Sequence, residues 1–339
     1  MTNNMDEVIV YIEDSQTGES GQMDKFVNYS ITQSLFEPEG SFQFECDSKY
    51  DISAGNTCTI FVNRKVVMAG IIDTVKRELS RSGPKLSFVG RSVASILVDS
   101  CVTKFSTLPT KLDALAEKLV RGLPFIGKKD FEYYSGAKKA NIKRKFVQLS
   151  PGDTVFDVIK RAANSQGYLF WATPEGKFCF DKPLVRGKPM FHIHAFGDGS
   201  VIDYIEGSVT NTIDGVHSEV RVMGESQDDN DIKYVMATAK NDDMPFAKPL
   251  VVNWNENEGP AKRTAELQMA VEKASSIRLE YTVKGHSQNS NNWEINRFVD
   301  VRDEYNGASD SYLIKSVTFT LDRQNGKRTR LELQPGGAL

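Results

Sequence analysis

Alternating hydrophobic and polar residues dominate the first hundred positions of the chain. Residues 42–46 and 58–62 each place an apolar side chain at every second position, and this period of two buries one face of a strand. Turn-forming residues at 37–40 and 82–84 separate such runs at a spacing suited to antiparallel hairpins. Residues 1–100 are therefore predicted to form a compact β-barrel or β-sandwich.

Helical spacing replaces this alternation after residue 100. Leucines recur along one side of a predicted helix over 112–119. A second helix is predicted to begin at Asp153, whose carboxylate caps the first free amides, and to end at Gly167. Short strand-like runs follow, so residues 101–199 are predicted to form an inserted α+β module.

The last third returns to strands, interrupted by one predicted helix at 260–276. Residues 200–339 are predicted to form a second β-barrel domain. The hairpin at 313–333 is similar to the one at 70–89, which suggests that two related β-domains flank the insertion. The alternative is chance, because hairpins resemble one another in composition.

Composition fits a folded protein of two or three domains, since 40% of the 339 residues are hydrophobic and 26% are charged. The formal net charge of −3 excludes a global attraction to nucleic acid. No apolar run approaches the ~20 residues of a membrane-spanning helix. The first residues lack the features of a secretory signal, so we expect the thiols to stay reduced in a cytoplasm during synthesis. The spacing of the four cysteines fits no metal site.

The best metal candidates are His192 and His194, which strand alternation places on one face. A metal site needs further ligands, and no spacing requires Asp198 or Asp203 to supply them. A pair of surface histidines is the preferred interpretation, so no metal and no cofactor are predicted.

Familiar catalytic motifs are absent from the chain. It contains no Gly-x-Ser-x-Gly elbow, no His-Glu-x-x-His pair, no Walker loop and no dinucleotide-binding glycine pattern. We therefore predict that the protein is not an enzyme and has no catalytic residues. Paired-acid glycosidase chemistry stays the alternative, because its two carboxylates meet only in the fold.

A basic stretch interleaved with aromatic residues runs from 128 to 146. Its candidate contact residues are Lys138, Lys139, Lys143, Arg144 and Lys145. Such a stretch binds single-stranded or duplex nucleic acid in some proteins. The preferred alternative is a solvated loop or an interface that faces the acidic segment 198–258 of a neighbouring subunit, where thirteen acidic residues stand against four basic ones.

Several patches, in order along the chain, resemble the Mu-like phage tail baseplate hub proteins. These patches are Gly90-Arg91-Ser92, Gly152-Asp153-Thr154-Val155-Phe156, Ala261-Lys262-Arg263-Thr264-Ala265-Glu266 and Trp293-Glu294-Ile295-Asn296. Each patch is short, and together they extend over most of the chain. The resemblance therefore rests on their order.

This resemblance implies a structural protein of the virion tail baseplate in a contractile-tailed phage, a prophage or a tail-derived particle, made in the bacterial host cytoplasm. The alternatives are a tail-associated cell-wall hydrolase and a DNA-binding tail component that uses the basic segment 128–146. The expected fold is mainly β with an α+β insertion, in which two related tail-tube-like β-barrels flank smaller α/β modules. Three chains would form a homotrimeric, pseudo-sixfold ring that joins the hexameric tail tube to the trimeric central spike. DNA would pass through the ring without sequence-specific binding.

Overall fold

Strands are the main regular structure in the computed structural model and helices are few, so the mainly β class is confirmed. The structure describes residues 6–35, 37, 39–46, 50–81, 83–103, 107–143, 149–182, 184–228, 231–254 and 260–337. Seven strands lie in the first 92 residues: β1 (Val8–Glu13), β2 (Ser20–Met23), β3 (Phe26–Ser34), β4 (Ser41–Cys46), β5 (Thr57–Val62), β6 (Lys65–Ser80) and β7 (Gly83–Ser92). They are antiparallel, as the hairpin spacing predicts.

The middle of the chain has its own hydrophobic core, built from helices and a three-stranded sheet. Its elements are α1 (Ser95–Asp99), α2 (Leu112–Val120), β8 (Phe131–Tyr133), α3 (Val155–Ser165), β9 (Leu169–Ala172) and β10 (Phe178–Asp181). Both predicted helices are present.

The predicted cap of α3 is wrong. Thr154 is the capping residue, because its hydroxyl accepts the Asp157 N–H at 3.1 Å. Asp153 lies one residue too early, and its carboxylate accepts instead from the Ser150 N–H and from Arg161.

The last part of the chain contains eleven strands and one long helix. They are β11 (Phe191–Ala195), β12 (Glu206–Asn211), β13 (Glu219–Asp228), β14 (Asp231–Lys240), β15 (Pro249–Asn253), α4 (Ala261–Ser275), β16 (Ile277–Lys284), β17 (Ser287–Gln288), β18 (Asn291–Asn292), β19 (Phe298–Asp303), β20 (Ala308–Asp322) and β21 (Gly326–Gln334). Helix α4 lies one residue inside each predicted end. It packs on the separate sheet β14-β13-β15 through a small core of its own.

Five strands near each end of the chain have the same order and the same directions. The first unit has the order β3-β4-β7-β6-β5, and the second unit has the order β12-β16-β21-β20-β19. Every neighbouring pair in both units is antiparallel. When the strands of a unit are numbered along the chain, their order across the sheet is first, second, fifth, fourth and third in both units.

The two units also share a β-bulge at the same place. The β6–β7 ladder shifts register between Ile72 and Thr74, and the β20–β21 ladder shifts between Ile314 and Ser316. Just before the bulge, Ile71 pairs with Thr57 on β5 and Leu313 pairs with Phe298 on β19. Bulges are specific features of a fold rather than random defects, so this coincidence favours duplication over chance.

Core volumes have diverged in a compensating way between the units. Phe42 pairs with Gly90 in the first unit, and the equivalent pair in the second unit is Leu279 with Leu333. A Cβ atom on Gly90 would lie 2.3 Å from the Phe42 ring. One large and one absent side chain therefore replace two of medium size, which preserves packing while removing sequence similarity.

Both units belong to one 13-stranded sheet, because β20 pairs with β3 as well as with β21. Strand β11, which lies within the predicted insertion 101–199, pairs with β19 in this sheet. The ladders of the described residues do not close either unit into a barrel, so barrel closure stays a prediction. The domain boundaries at 100 and 200 likewise stay predictions.

Candidate assembly interface

The predicted histidine pair lies on one face of β11, as strand alternation requires. The ring centroids of His192 and His194 are 5.1 Å apart. The His194 Nε2 lies 3.0 Å from an Asp300 carboxylate oxygen, whereas the His192 Nε2 is 3.9 Å from Asp203. Among the described residues, no group of three or more histidine, cysteine or acidic side chains is placed to hold a metal ion. We assign no metal to the pair.

The predicted basic segment lies on the surface of the middle module. Lys138 and Lys139 belong to a short 3-10 helix packed beside α2, and both are exposed, as is Lys143. Arg144 and Lys145 lie outside the described residues. Lys128 is paired with Glu117 at 2.8 Å, which reduces the positive charge available to a partner. These lysines remain predicted contact residues.

Arg91 explains one patch of the sequence resemblance. Its guanidinium bonds to carboxylates of Asp73 at 2.8 Å, Asp99 at 2.7 Å and Glu39 at 3.0 Å. Asp73 occupies the bulge of β6 and Asp99 ends α1, so Arg91 ties the first unit to the middle module. The hydrogen bond from Arg91 lowers the pKa of Asp99 below its ordinary value.

The two units are joined by a continuous ladder of β20 with β3, one face of which is buried and apolar. Phe319 on β20 pairs with Ile31 on β3, and both side chains are fully buried. On the opposite face, the hydroxyls of Thr318 and Thr32 lie 3.1 Å apart. The second unit therefore extends the first without a break in hydrogen bonding.

A buried polar cluster reinforces this joint. The hydroxyl of Tyr29, on β3, lies 2.7 Å from Nε2 of His286, which follows β16 in the second unit. The Thr329 hydroxyl donates to the Gly285 carbonyl and lies 3.1 Å from His286 Nδ1. Because Thr329 must therefore accept from the imidazole, the proton is on Nδ1, and Nε2 accepts from Tyr29.

Asp6 completes the cluster from the other side. Its carboxylate accepts from the His286 N–H at 2.6 Å and from the Ser287 hydroxyl at 2.9 Å. The Lys327 ammonium donates to the Asp6 carbonyl. Burial raises the pKa of Tyr29, which keeps its hydroxyl neutral. The first and second units are thus joined by polar as well as apolar contacts.

Two of the sheet edges that are open in the described part of the chain belong to β6 and β12. Strand β6 pairs with β5 only up to Ile71, so the edge of residues 74–79 opposite β7 has no ladder. Strand β12 pairs with β16 on one side, and no described strand pairs with its other side. Leu79 at the end of β6 is 86% exposed. Open edges of this kind are templates for pairing with another chain.

The small sheet β14-β13-β15 presents a second exposed surface. One face packs on α4, and the other carries Met223, Tyr234, Met236 and Val251, all of them exposed. Apolar side chains clustered in this way indicate a protein contact surface.

Comparisons with known proteins place these features in a family context. Residues 20–92 match the family model of the Mu phage baseplate assembly protein GpP-like, N-terminal domain. The baseplate hub protein gp44 of Escherichia phage Mu is 22% identical over 331 residues, which cover 91% of this chain and 84% of gp44. The predicted resemblance to Mu-like baseplate hub proteins is confirmed.

Solved structures share the fold over nearly the whole chain. The tail protein from Neisseria meningitidis MC58 superposes with a TM-score of 0.81 and 22% identity, covering 96% of each chain. The 43 kDa tail protein of prophage MuSo2 from Shewanella oneidensis gives a TM-score of 0.79 at 19% identity, covering 97% of this chain and 98% of that one. The order of the two units and the insertion is therefore common to these structures.

Sequence reasoning missed the open edges. The signal was present in the length of β6, which continues for nine residues beyond its last partner on β5. Strands of that length are unusual, because ordinary strands have about 5–6 residues.

No helix of the described residues is long and apolar enough to cross a membrane.

Proposed function

We propose that this protein is the structural hub of a contractile tail baseplate, in which three copies form a pseudo-sixfold ring. The ring would dock the hexameric tail tube on one face and seat the trimeric central spike on the other. Its place would be the virion baseplate of a phage, a prophage or a tail-derived particle. The role requires contacts only, and no chemical bond is made or broken.

The repeated five-strand unit is the observation that carries this proposal. A threefold ring meets a sixfold tube without mismatch only when each chain offers two similar docking surfaces, since three chains then present six. The matching strand order and the matching bulges support this proposal, because two units with one strand arrangement can offer two similar docking surfaces.

The relatives support a structural role rather than a catalytic one. Their descriptions name a baseplate hub protein and two tail proteins. Among the described residues, Arg91 bonds to carboxylates of the first unit and of the middle module, and His286 bonds to Tyr29 across the joint between the two units. Such groups position strands and helices.

The mass of the purified chain in solution tests the ring. Size-exclusion chromatography with light scattering is expected to give three times the 37.9 kDa of one chain. Obligate rings bury large interfaces, so the trimer should persist at micromolar concentration. A monomer at that concentration would overturn the proposal.

The partners need a separate test in assembled particles. Tails purified from cells that lack this protein are expected to lose the spike and the baseplate, while free tube protein accumulates. Complementation with the wild-type chain should restore both. Normal tails in the deletion strain would contradict a hub role.

A further inference from the structure

The joint inside one chain predicts how two chains meet. Strand β3 starts the first unit and β12 starts the second, so they are equivalent strands. Strands β6 and β20 are equivalent as well, because they carry the matching bulge. Within a chain, the late half of β20 pairs with β3. The equivalent partners are the late half of β6 and the outer edge of β12, and both of these edges are open.

Exposure confirms that one of the two equivalent positions lacks a partner. On β20, the residues that face the core at the joint, Val317 and Phe319, are fully buried. Their equivalents on β6 are Val75, which is half-buried, and Arg77, whose side chain is 52% exposed. These positions on β6 are thus less buried than their equivalents on β20, which β3 covers.

Backbone hydrogen bonding shows that β12 is ready to pair. The Thr212 N–H donates to the Ser276 carbonyl at 2.8 Å, on the β16 side. Amides alternate in direction along an antiparallel strand, so Val209 and Asn211 direct their N–H and C=O groups to the open edge. At the joint inside the chain, Leu35 donates to the Lys315 carbonyl, so the equivalent odd-numbered residues of β3 face β20.

We propose that the late half of β6 in one copy pairs antiparallel with β12 of the next copy, in the register of β20 with β3. This inference rests on the ring proposed above and specifies its interface. The equivalent register gives the pairs Thr74 with Thr212, Val75 with Asn211, Lys76 with Thr210, Arg77 with Val209, Glu78 with Ser208 and Leu79 with Gly207.

Side chains at the two edges suit this pairing. Leu79, the most exposed leucine at the open edge of β6, would lie opposite Gly207. A Cβ atom on Gly207 would meet the rings of Tyr281 and Tyr204 at 2.8 and 2.9 Å. These rings already fill the core face beside Gly207. In the proposed pair, Leu79 would therefore cover the ring of Tyr204 and become buried from solvent.

The arrangement is head-to-tail, which makes it a ring interface. Strand β12 ends the main sheet, whereas the open part of β6 lies beyond β3 in the strand order. One copy therefore has two different open edges, and the β6 edge of one copy pairs with the β12 edge of the next. Heterologous contacts of this kind close into rings when the rotation permits. Around a ring of three copies, the joint inside each chain would then alternate with an equivalent joint between neighbouring chains.

Engineered disulfides test the register directly. Lys76 and Thr210 would form a non-hydrogen-bonded pair, whose Cα atoms lie about 4.5 Å apart, within the range that a disulfide spans. The test variant is Lys76→Cys with Thr210→Cys, made with Cys101→Ser because Cys101 is the exposed native thiol among the described residues. The register control replaces Thr210→Cys by Ser208→Cys, two residues away on the same face.

Thr32→Cys with Thr318→Cys serves as a positive control for the chemistry. This pair occupies the same position at the joint inside one chain, where the hydroxyls lie 3.1 Å apart. It should form a disulfide within each monomer. Its oxidation sets the extent of reaction expected at an equivalent pair between chains.

Each outcome decides the proposal. Oxidation of the Lys76→Cys, Thr210→Cys variant is expected to give covalent dimers and trimers on non-reducing gels, at least tenfold more than the register control. A trimer by light scattering that fails to cross-link would overturn this pairing while leaving the ring intact. Covalent open chains without a closed trimer would support the pairing and overturn the ring. A monomer that does not cross-link would overturn both.

A proline substitution provides the second variant. Val209→Pro removes an N–H that faces the open edge and leaves the bonds to β16, because edge strands tolerate proline on their outer side. The chain should keep its circular dichroism spectrum and lose the trimer. A folded Val209→Pro chain that remains trimeric would refute the pairing.

Discussion

The buried histidine at the joint should make the connection between the two units sensitive to acid. Burial, aided by the Lys327 charge and opposed by Asp6, lowers the pKa of His286 to about 4. The neutral ring accepts from the Tyr29 hydroxyl, and protonation of Nε2 would remove that acceptor. Tyr29 belongs to the first unit, so the proton would weaken a bond between the units.

The size and sign of the effect follow from proton linkage. In the unfolded chain, His286 has an ordinary pKa near 6.5 and takes up a proton as the pH falls through that value. The folded chain resists protonation until about pH 4. The unfolded state therefore binds more protons in this window, so the free energy of unfolding decreases as the pH decreases. The full loss is about 3 kcal/mol, and most of it is reached at pH 4.5.

Urea unfolding at pH 8 and pH 4.5, at one protein concentration, measures this loss. His286→Gln cannot take up the proton, so its stability should fall by about 2–3 kcal/mol less than that of the wild type over the same interval. His192→Gln is the matched control for removing a histidine outside the joint, since the His192 side chain is 42% exposed. Equal losses in wild type and His286→Gln would refute the reasoning.

Three further changes test the packing of the units, each by urea unfolding. Phe319→Ala removes a fully buried ring and should cost about 3–5 kcal/mol, whereas Tyr234→Ala removes a ring that is 85% exposed and should cost less than about 0.5 kcal/mol. Gly90→Ala would place a Cβ 2.1 Å from a carbonyl oxygen of β6 and should cost about 2 kcal/mol or more, while Gly21→Ala meets no atom within 4 Å and should be neutral. Thr154→Ala removes the cap of α3 and should cost about 1 kcal/mol. Equal effects within the first two pairs, or no effect of the third, would contradict the packing described.

Local patterns of the sequence predicted local structure well. Helix α4 begins and ends within one residue of its predicted bounds, because its apolar spacing stands between two regions of alternation. The cap of α3 was misplaced, since Asp153 and Thr154 are both good capping residues and only the backbone geometry distinguishes them.

Contacts between distant segments were harder to predict. Strands β3 and β20 pair across almost 290 residues, and neither strand carries a sign of its partner. The duplication was visible only as a weak hairpin similarity, because changes such as Phe42 with Gly90 against Leu279 with Leu333 preserve volume and erase identity. The open edges follow from that duplication, so they emerged only with the strand order.

An image of the assembled ring tests the central claim most directly. Cryo-electron microscopy of the purified chain, reconstructed without imposed symmetry, is predicted to show three copies whose six five-strand units repeat at nearly equal angles and radii. Each joint between copies should match the β20–β3 joint inside a copy. A ring with another number of chains, or three chains whose two units lie at different radii, would contradict the account.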